Sequence, residues 1–264
     1  MISNRCIGPF LICAAWTTGF CVDAGQSGFP ARIERAGDRM RIRIESGRPL
    51  AAAADSLEAE YGWQINYEDP ESFCPREVIE VVDTRKPPAG TGGRVLVPKP
   101  VRFNPTYAQP LNPPTTSERR ATIARVLEAA RREIALNYTY LESDGSIDLI
   151  PSGFFDEDCK FVTRASLMDT RIYLPPGPRN FDRALHEFVA ALSKATSRQV
   201  ALGAMPANFL YQTQLPLGAM GGPARSVLRR LIEGSRRKLA WQLLVDPGTR
   251  KALLNLHFVD RAEQ

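Results

Sequence analysis

The sequence predicts an α+β protein of two tandem small units, each a short sheet with two helices in strand–helix–strand–strand–helix–strand order. Three observations carry that expectation. Runs such as RIRIE (residues 41–45) and RIYLP (171–175) alternate basic and apolar side chains with the period of a strand, whereas SERRATIARVLEAARREIA has the period of an amphipathic helix. A strand–helix–strand pattern occurs twice, over residues 41–69 and 171–203. Leu50, Leu57 and Ile65 recur at identical spacing as Leu185, Leu192 and Val200; only the loop before the helix is five residues longer in the second copy. Repeats of this kind set the architecture before any local feature does.

The elements follow in order. Residues 1–24 have the form of an export signal: Arg5 lies in a weakly positive start, 6–20 are uncharged and mostly apolar, and Val22 and Ala24 suit a signal-peptidase site. Phe20 before Cys21 argues against lipid attachment. Residues 25–39 read as a flexible leader. The first unit spans 40–150 and opens with a strand over 40–45, a turn at 46–49 and a helix over 49–61. Pro49 suits the first helical turn, and Gly62 suits the C-terminal stop. A strand over 63–67 follows.

Eight prolines between 85 and 114 mark an insertion, with extended pieces expected at 78–82 and 95–103. Prolines 98 and 100 confine the second piece to an edge. Thr115 to Glu118 is a capping box that opens a helix to about residue 135, and Asp144-Gly145 turns a hairpin. A linker over 151–169 leads to the second unit, 170–260. There the pattern predicts a strand at 170–174, a helix at 182–196, strands at 199–202 and 211–217, a helix from Gly222-Pro223, and a closing hairpin of 239–245 and 252–259.

Composition excludes several functions. The longest uncharged run, 199–224, contains Asn208, Gln212, Gln214 and prolines 206 and 216, so it is too polar to span a membrane, which takes about 20 apolar residues. A net charge of +5, with arginines interleaved among glutamates, describes solvated helix faces and no nucleic-acid partner. Three of the five cysteines lie in the export signal, leaving Cys74 and Cys159. Both sit in polar loop sequence, and export brings them into an oxidising space, so they are expected to pair.

No catalytic, cofactor or metal site is expected. His186-Glu187 starts a zinc-protease pattern, but Ala190 stands where the second histidine is needed. His257 alternates with Leu256 and Phe258, as a strand residue facing solvent or a domain interface does. The Gly90 to Gly93 and Gly221-Gly222 clusters lack the Lys-Ser/Thr of a phosphate loop, and Asp156-Glu157-Asp158 lacks the glycine and distal glutamate of a calcium loop.

The first unit, IRIESGRPLAAAADSLEAEYGWQINYED with Leu50, Leu57, Gly62, Ile65 and Tyr67, resembles the short N-terminal domain of secretins and TonB-dependent receptors (secretin N0-like). The stretch PLGAMGGPARSVLRRLIEGSRRKLAWQLL, residues 216–244, is similar to that family's second helix and strand. The resemblance implies a non-catalytic protein-binding or assembly module of the bacterial envelope, periplasmic or secreted. The alternating strands are candidate edges for a partner strand, at Arg41 and Arg43 in the first unit and Arg171 and Tyr173 in the second. The alternative is a secreted hydrolase or carbohydrate-binding protein with a cleft between the units, its sugar platforms being Trp63, Trp241, Tyr67, Tyr138 and Tyr140.

Overall fold

A computed structural model describes residues 31–82, 94–112 and 114–259. Residues 1–24, expected as an export signal, and residues 25–30 of the leader lie outside the described residues. The remainder of the leader is structured: β1 (Arg32–Ala36) turns at Gly37 and pairs along its length with β2 (Arg39–Ser46), placing Ile33 opposite Ile42. Next come α1 (Pro49–Tyr61) and β3 (Gln64–Glu68). Gly62 ends α1 at φ 65°, a left-handed conformation that carries little cost without a Cβ.

Both extended pieces of the insertion are present. β4 (Val78–Val82) and β5 (Arg94–Pro98) form a separate two-stranded ribbon, while β6 (Val101–Phe103) and β7 (Thr106–Ala108) return to β2. α2 (Thr116–Ile134) carries the expected capping box, with Glu118 N–H donating to Thr115 Oγ1 at 3.2 Å. β8 (Tyr138–Ser143) and β9 (Ser146–Pro151) flank Asp144 and Gly145, both at positive φ. The stretch expected as a linker holds a small hairpin, β10 (Gly153–Phe155) with β11 (Phe161–Thr163).

The second half runs β12 (Arg171–Leu174), β13 (Gly177–Asn180), α3 (Phe181–Thr196) and β14 (Val200–Leu202), then α4 (Ala207–Gln212) and β15 (Gln214–Leu217). It closes with β16 (Met220–Pro223), α5 (Ala224–Gly234), β17 (Leu239–Val245) and β18 (Ala252–Phe258). The strand expected from residue 211 begins only at Gln214. Tyr211 and Gln212 end α4, which Pro206 starts and which buries Leu210 completely.

The principal sheet has six strands in the order β14-β18-β17-β3-β9-β8. Its two ends share one connectivity. In β3-β9-β8 the first pair is parallel and the second antiparallel, and the same holds for β14-β18-β17. Where the sequence suggested separate short sheets, β17 pairs in parallel with β3 and makes one sheet of both. Because β17 runs with β3, β14 runs against it, so the two triplets are related by a half-turn about an axis lying across the strands. That half-turn puts their helices on opposite faces. Ile65 and Tyr67 pack in a first core with Leu50 and Leu57 of α1 and Ile123 of α2. Trp241 and Leu243 pack in a second core with Leu185 and Leu192 of α3 and Leu228 of α5.

Candidate functional site

The seam between β3 and β17 is where both cores meet, and it concentrates the buried polar groups. Only Gln242 with Tyr67 and Leu243 with Glu68 stand in strand register, so side chains complete the ladder. Trp241 N–H donates to Asn66 Oδ1 at 3.0 Å, Val245 N–H to Asp69 Oδ2 at 2.8 Å, and Gln64 Nε2 to Leu239 O at 2.6 Å. Arg48 donates to Asp69 Oδ2 at 2.7 Å and to Val245 O at 2.8 Å. Burial opposes the Arg48 charge, but Asp69 outweighs it and raises the guanidinium above its ordinary value.

On the α5 face, Arg225 is 3% exposed and lies over the Trp241 ring, 5.6 Å from its centroid. Its Nη2 donates to Glu68 Oε2 and to Ser166 Oγ, both at 2.8 Å, and Asp148 lies 3.7 Å away. Arg229 reaches Ser143 at 2.7 Å and Asp148 at 3.3 Å. Burial pushes the Glu68 carboxyl up, against the opposing pull of Arg225 and Ser166. The cavity beside them, about 80 Å³, is lined by Asn66, Asp148, Arg225, Arg229 and Trp241. Small-molecule sites run to about 300 Å³ or more, and the side chains around this smaller space join the two cores. A larger groove of about 360 Å³ runs between β7 and α2, with Arg39, Arg125 and Arg132 interleaved with Glu118, Glu128 and Glu133. It belongs to the first half alone and is no cleft between units.

On the α1 face, Asp55 and Glu58 meet residues of the second half. Glu58 is 5% exposed. Its Oε1 accepts from Ile65 N–H at 2.8 Å, and its Oε2 lies 2.6 Å from His257 Nε2. Gln242 Nε2 donates to Asp55 Oδ1 at 2.7 Å. Part of Asp55 reaches solvent, yet desolvation of its carboxyl and the neighbouring Glu58 charge push it up to about 6. At His257 burial disfavours the imidazolium, but Glu58, with Asp55, outweighs it and raises the ring above its usual value. His257 therefore faces the interface, one of the two placements its sequence pattern allowed. Its partners are some 200 residues distant in the chain and carry no local signal.

The expected Cys74–Cys159 bridge is present, with Cα atoms 5.1 Å apart. The first pair of edge residues is corrected: Arg41 and Arg43 lie on β2, which is flanked by β1 on one side and by β6 and β7 on the other. Charge on RIRIE suggested an edge, but strands from the leader and the insertion cover it. Arg171 and Tyr173 lie on β12, whose one partner strand among the described residues is β16; Tyr173 is 60% exposed. Trp63, Trp241 and Tyr67 are buried and present no face to a sugar. His186 is an exposed helix residue 3.8 Å from Asp182.

The edge that sequence reasoning missed is β8. Among the described residues it pairs with β9 alone. The two-residue turn closes on Ser143 and Ser146, which directs the backbone of Tyr138, Tyr140 and Glu142 outward. Thr139 is exposed beside Leu141, itself 47% exposed. Comparison of the chain with protein-family models, curated proteins and solved structures finds no match.

Proposed function

We propose that this protein is an exported, non-catalytic binding or assembly module of the cell envelope, similar to the short N-terminal domains of secretins and TonB-dependent receptors, and that it takes an extended segment of an envelope protein onto β8. The open edge of β8 carries this reading. Natural edges are blunted by shortness, proline, lysine or inward charge. β14 is three residues long, and Pro175 and Pro176 follow β12. β8 is six residues long, YTYLES, with no proline and no lysine; its one charged residue, Glu142, turns back to Arg119 and Arg120 of α2 and leaves the stretch from Tyr138 to Leu141 uncharged. Main-chain hydrogen bonds then supply affinity, and side chains on alternate positions supply specificity.

The signal-like pattern of residues 1–24 supports export, and the disulfide agrees with an oxidising compartment. No helix among the described residues is long and apolar enough to cross a membrane. Both cysteines are consumed by the bridge, which leaves them structural work.

The test is a photo-crosslinking residue at Leu141 in the exported protein, with one at the equally exposed Phe161 as control. Envelope proteins are expected to attach at Leu141 only. The double variant T139K/L141K is expected to lose that capture at an unchanged melting temperature, because both side chains are exposed. Equal capture from both positions, or capture that survives the two lysines, overturns the reading.

A further inference from the structure

The α1 face of the seam contains a constellation that an assembly module does not require. We propose that Asp55, Glu58 and His257 form a divalent-metal site of the kind that takes Zn²⁺, tying α1 of the first core to β18 of the second. One ligand atom from each of the three residues lies within 4.8 Å of the others. Tetrahedral Zn²⁺ with bonds of about 2.0–2.2 Å draws such atoms to roughly 3.4 Å apart.

The carboxylates are arranged for this. Asp55 and Glu58 stand three apart and so share one face of α1. Each has one oxygen already held by an outer donor: Ile65 N–H on Glu58 Oε1, Gln242 Nε2 on Asp55 Oδ1. The second oxygen of each remains for a metal, that of Glu58 already pointing at His257 Nε2. Outer donors of this sort orient ligands and are a regular part of metal sites. The three ligands come from a helix and a sheet strand, elements rigid enough to hold a geometry.

Burial is graded in the useful direction. Glu58 is buried, the His257 side chain is 36% exposed, and Asp55 is exposed. An ion therefore has an entry path and keeps an outward position for water. Two carboxylates facing one imidazole carry net negative charge, which a dication neutralises. An imidazole with only two carboxylates suits Zn²⁺ and its neighbours better than Ca²⁺, which takes six to eight oxygens.

The test uses the untagged full chain after chelator treatment, titrated with Zn²⁺, Ca²⁺ and Co²⁺ separately. One Zn²⁺ per chain should bind and raise the melting temperature, Ca²⁺ should do neither, and Co²⁺ should give the intense visible absorption of a tetrahedral centre. Asp55→Asn and His257→Ala should each weaken Zn²⁺ binding at least 10-fold, while His186→Ala leaves it unchanged. Asp55 is exposed, so its variant reports on binding even if removing His257 unsettles the fold beside the buried Glu58. Absence of saturable one-to-one binding, binding that survives Asp55→Asn, or binding lost with His186 overturns the proposal.

Discussion

Arg225 has more at stake than any other side chain at the seam. It is buried against Glu68, Ser166, Asp148 and the Trp241 ring, so it touches strands of both sheet triplets at once. Removing one partner of a buried ion pair leaves the other charge without compensation, at a cost of about 3–5 kcal/mol. Arg225→Met is expected to lose that much in a urea titration, whereas Arg43→Met, whose pair with Glu34 is exposed, should change stability by less than about 1 kcal/mol. Leu57→Ala and Leu192→Ala should each cost about 2–5 kcal/mol, since both side chains are 1% exposed or less. Those leucines were legible in the sequence through their shared spacing. Arg225 was not, because a charged residue on a helix reads as solvated unless its distant partners are known.

Elements with local causes were the most legible. Pro49 and Gly62 bound α1, Thr115 and Glu118 start α2, and Asp144-Gly145 turns β8 into β9, as expected from turn and cap chemistry alone. The missed strands are short or have no alternation, such as β16, whose Gly221 and Gly222 signal a loop. The α2 cap yields a pH prediction. Glu118 is held below the usual carboxylate value by the Thr115 backbone N–H, the Thr115 hydroxyl and the Leu111 N–H. A depressed folded value means its contribution is present above about 4.5 and is lost as pH falls through the lower folded value. The melting-temperature difference between wild type and Glu118→Gln should accordingly hold at neutral pH and shrink as the pH falls below the ordinary carboxylate value of 4.5.

At the scale of the molecule, the α+β class and the order of elements could be read from periodicity, but the joining of two triplets into one sheet could not. Strand pairing across β3 and β17 depends on which edges meet after the half-turn, and nothing in the hydrophobic period records that. The candidate edges suffered for the same reason, since whether a strand such as RIRIE is covered is decided by strands elsewhere in the chain. Cys74–Cys159 closes a loop of 85 residues around the insertion and α2. In the loop-entropy description such a bridge stabilises by up to about 4–5 kcal/mol. Reduction, or a Cys74→Ser/Cys159→Ser double variant, should lower the unfolding free energy read from a urea titration by up to that amount, with the oxidised chain as reference.

The seam also imposes a schedule. Gln64 and Asn66 find their partners at Leu239 and Trp241, 175 residues later. A chain that emerges amino end first completes α1, α2 and the β8–β9 hairpin while one side of β3 still waits for a neighbour. Contacts so distant in sequence form slowly, and an open inner strand is a template for the wrong partner in the meantime. A chain ending before Leu239 should keep that edge bare and self-associate, whereas supplying residues 239–259 as a separate fragment should rescue it. The hairpin of β17 and β18 is thus a latch as well as a piece of sheet, and β3 is shielded from a wrong partner only once that hairpin has arrived.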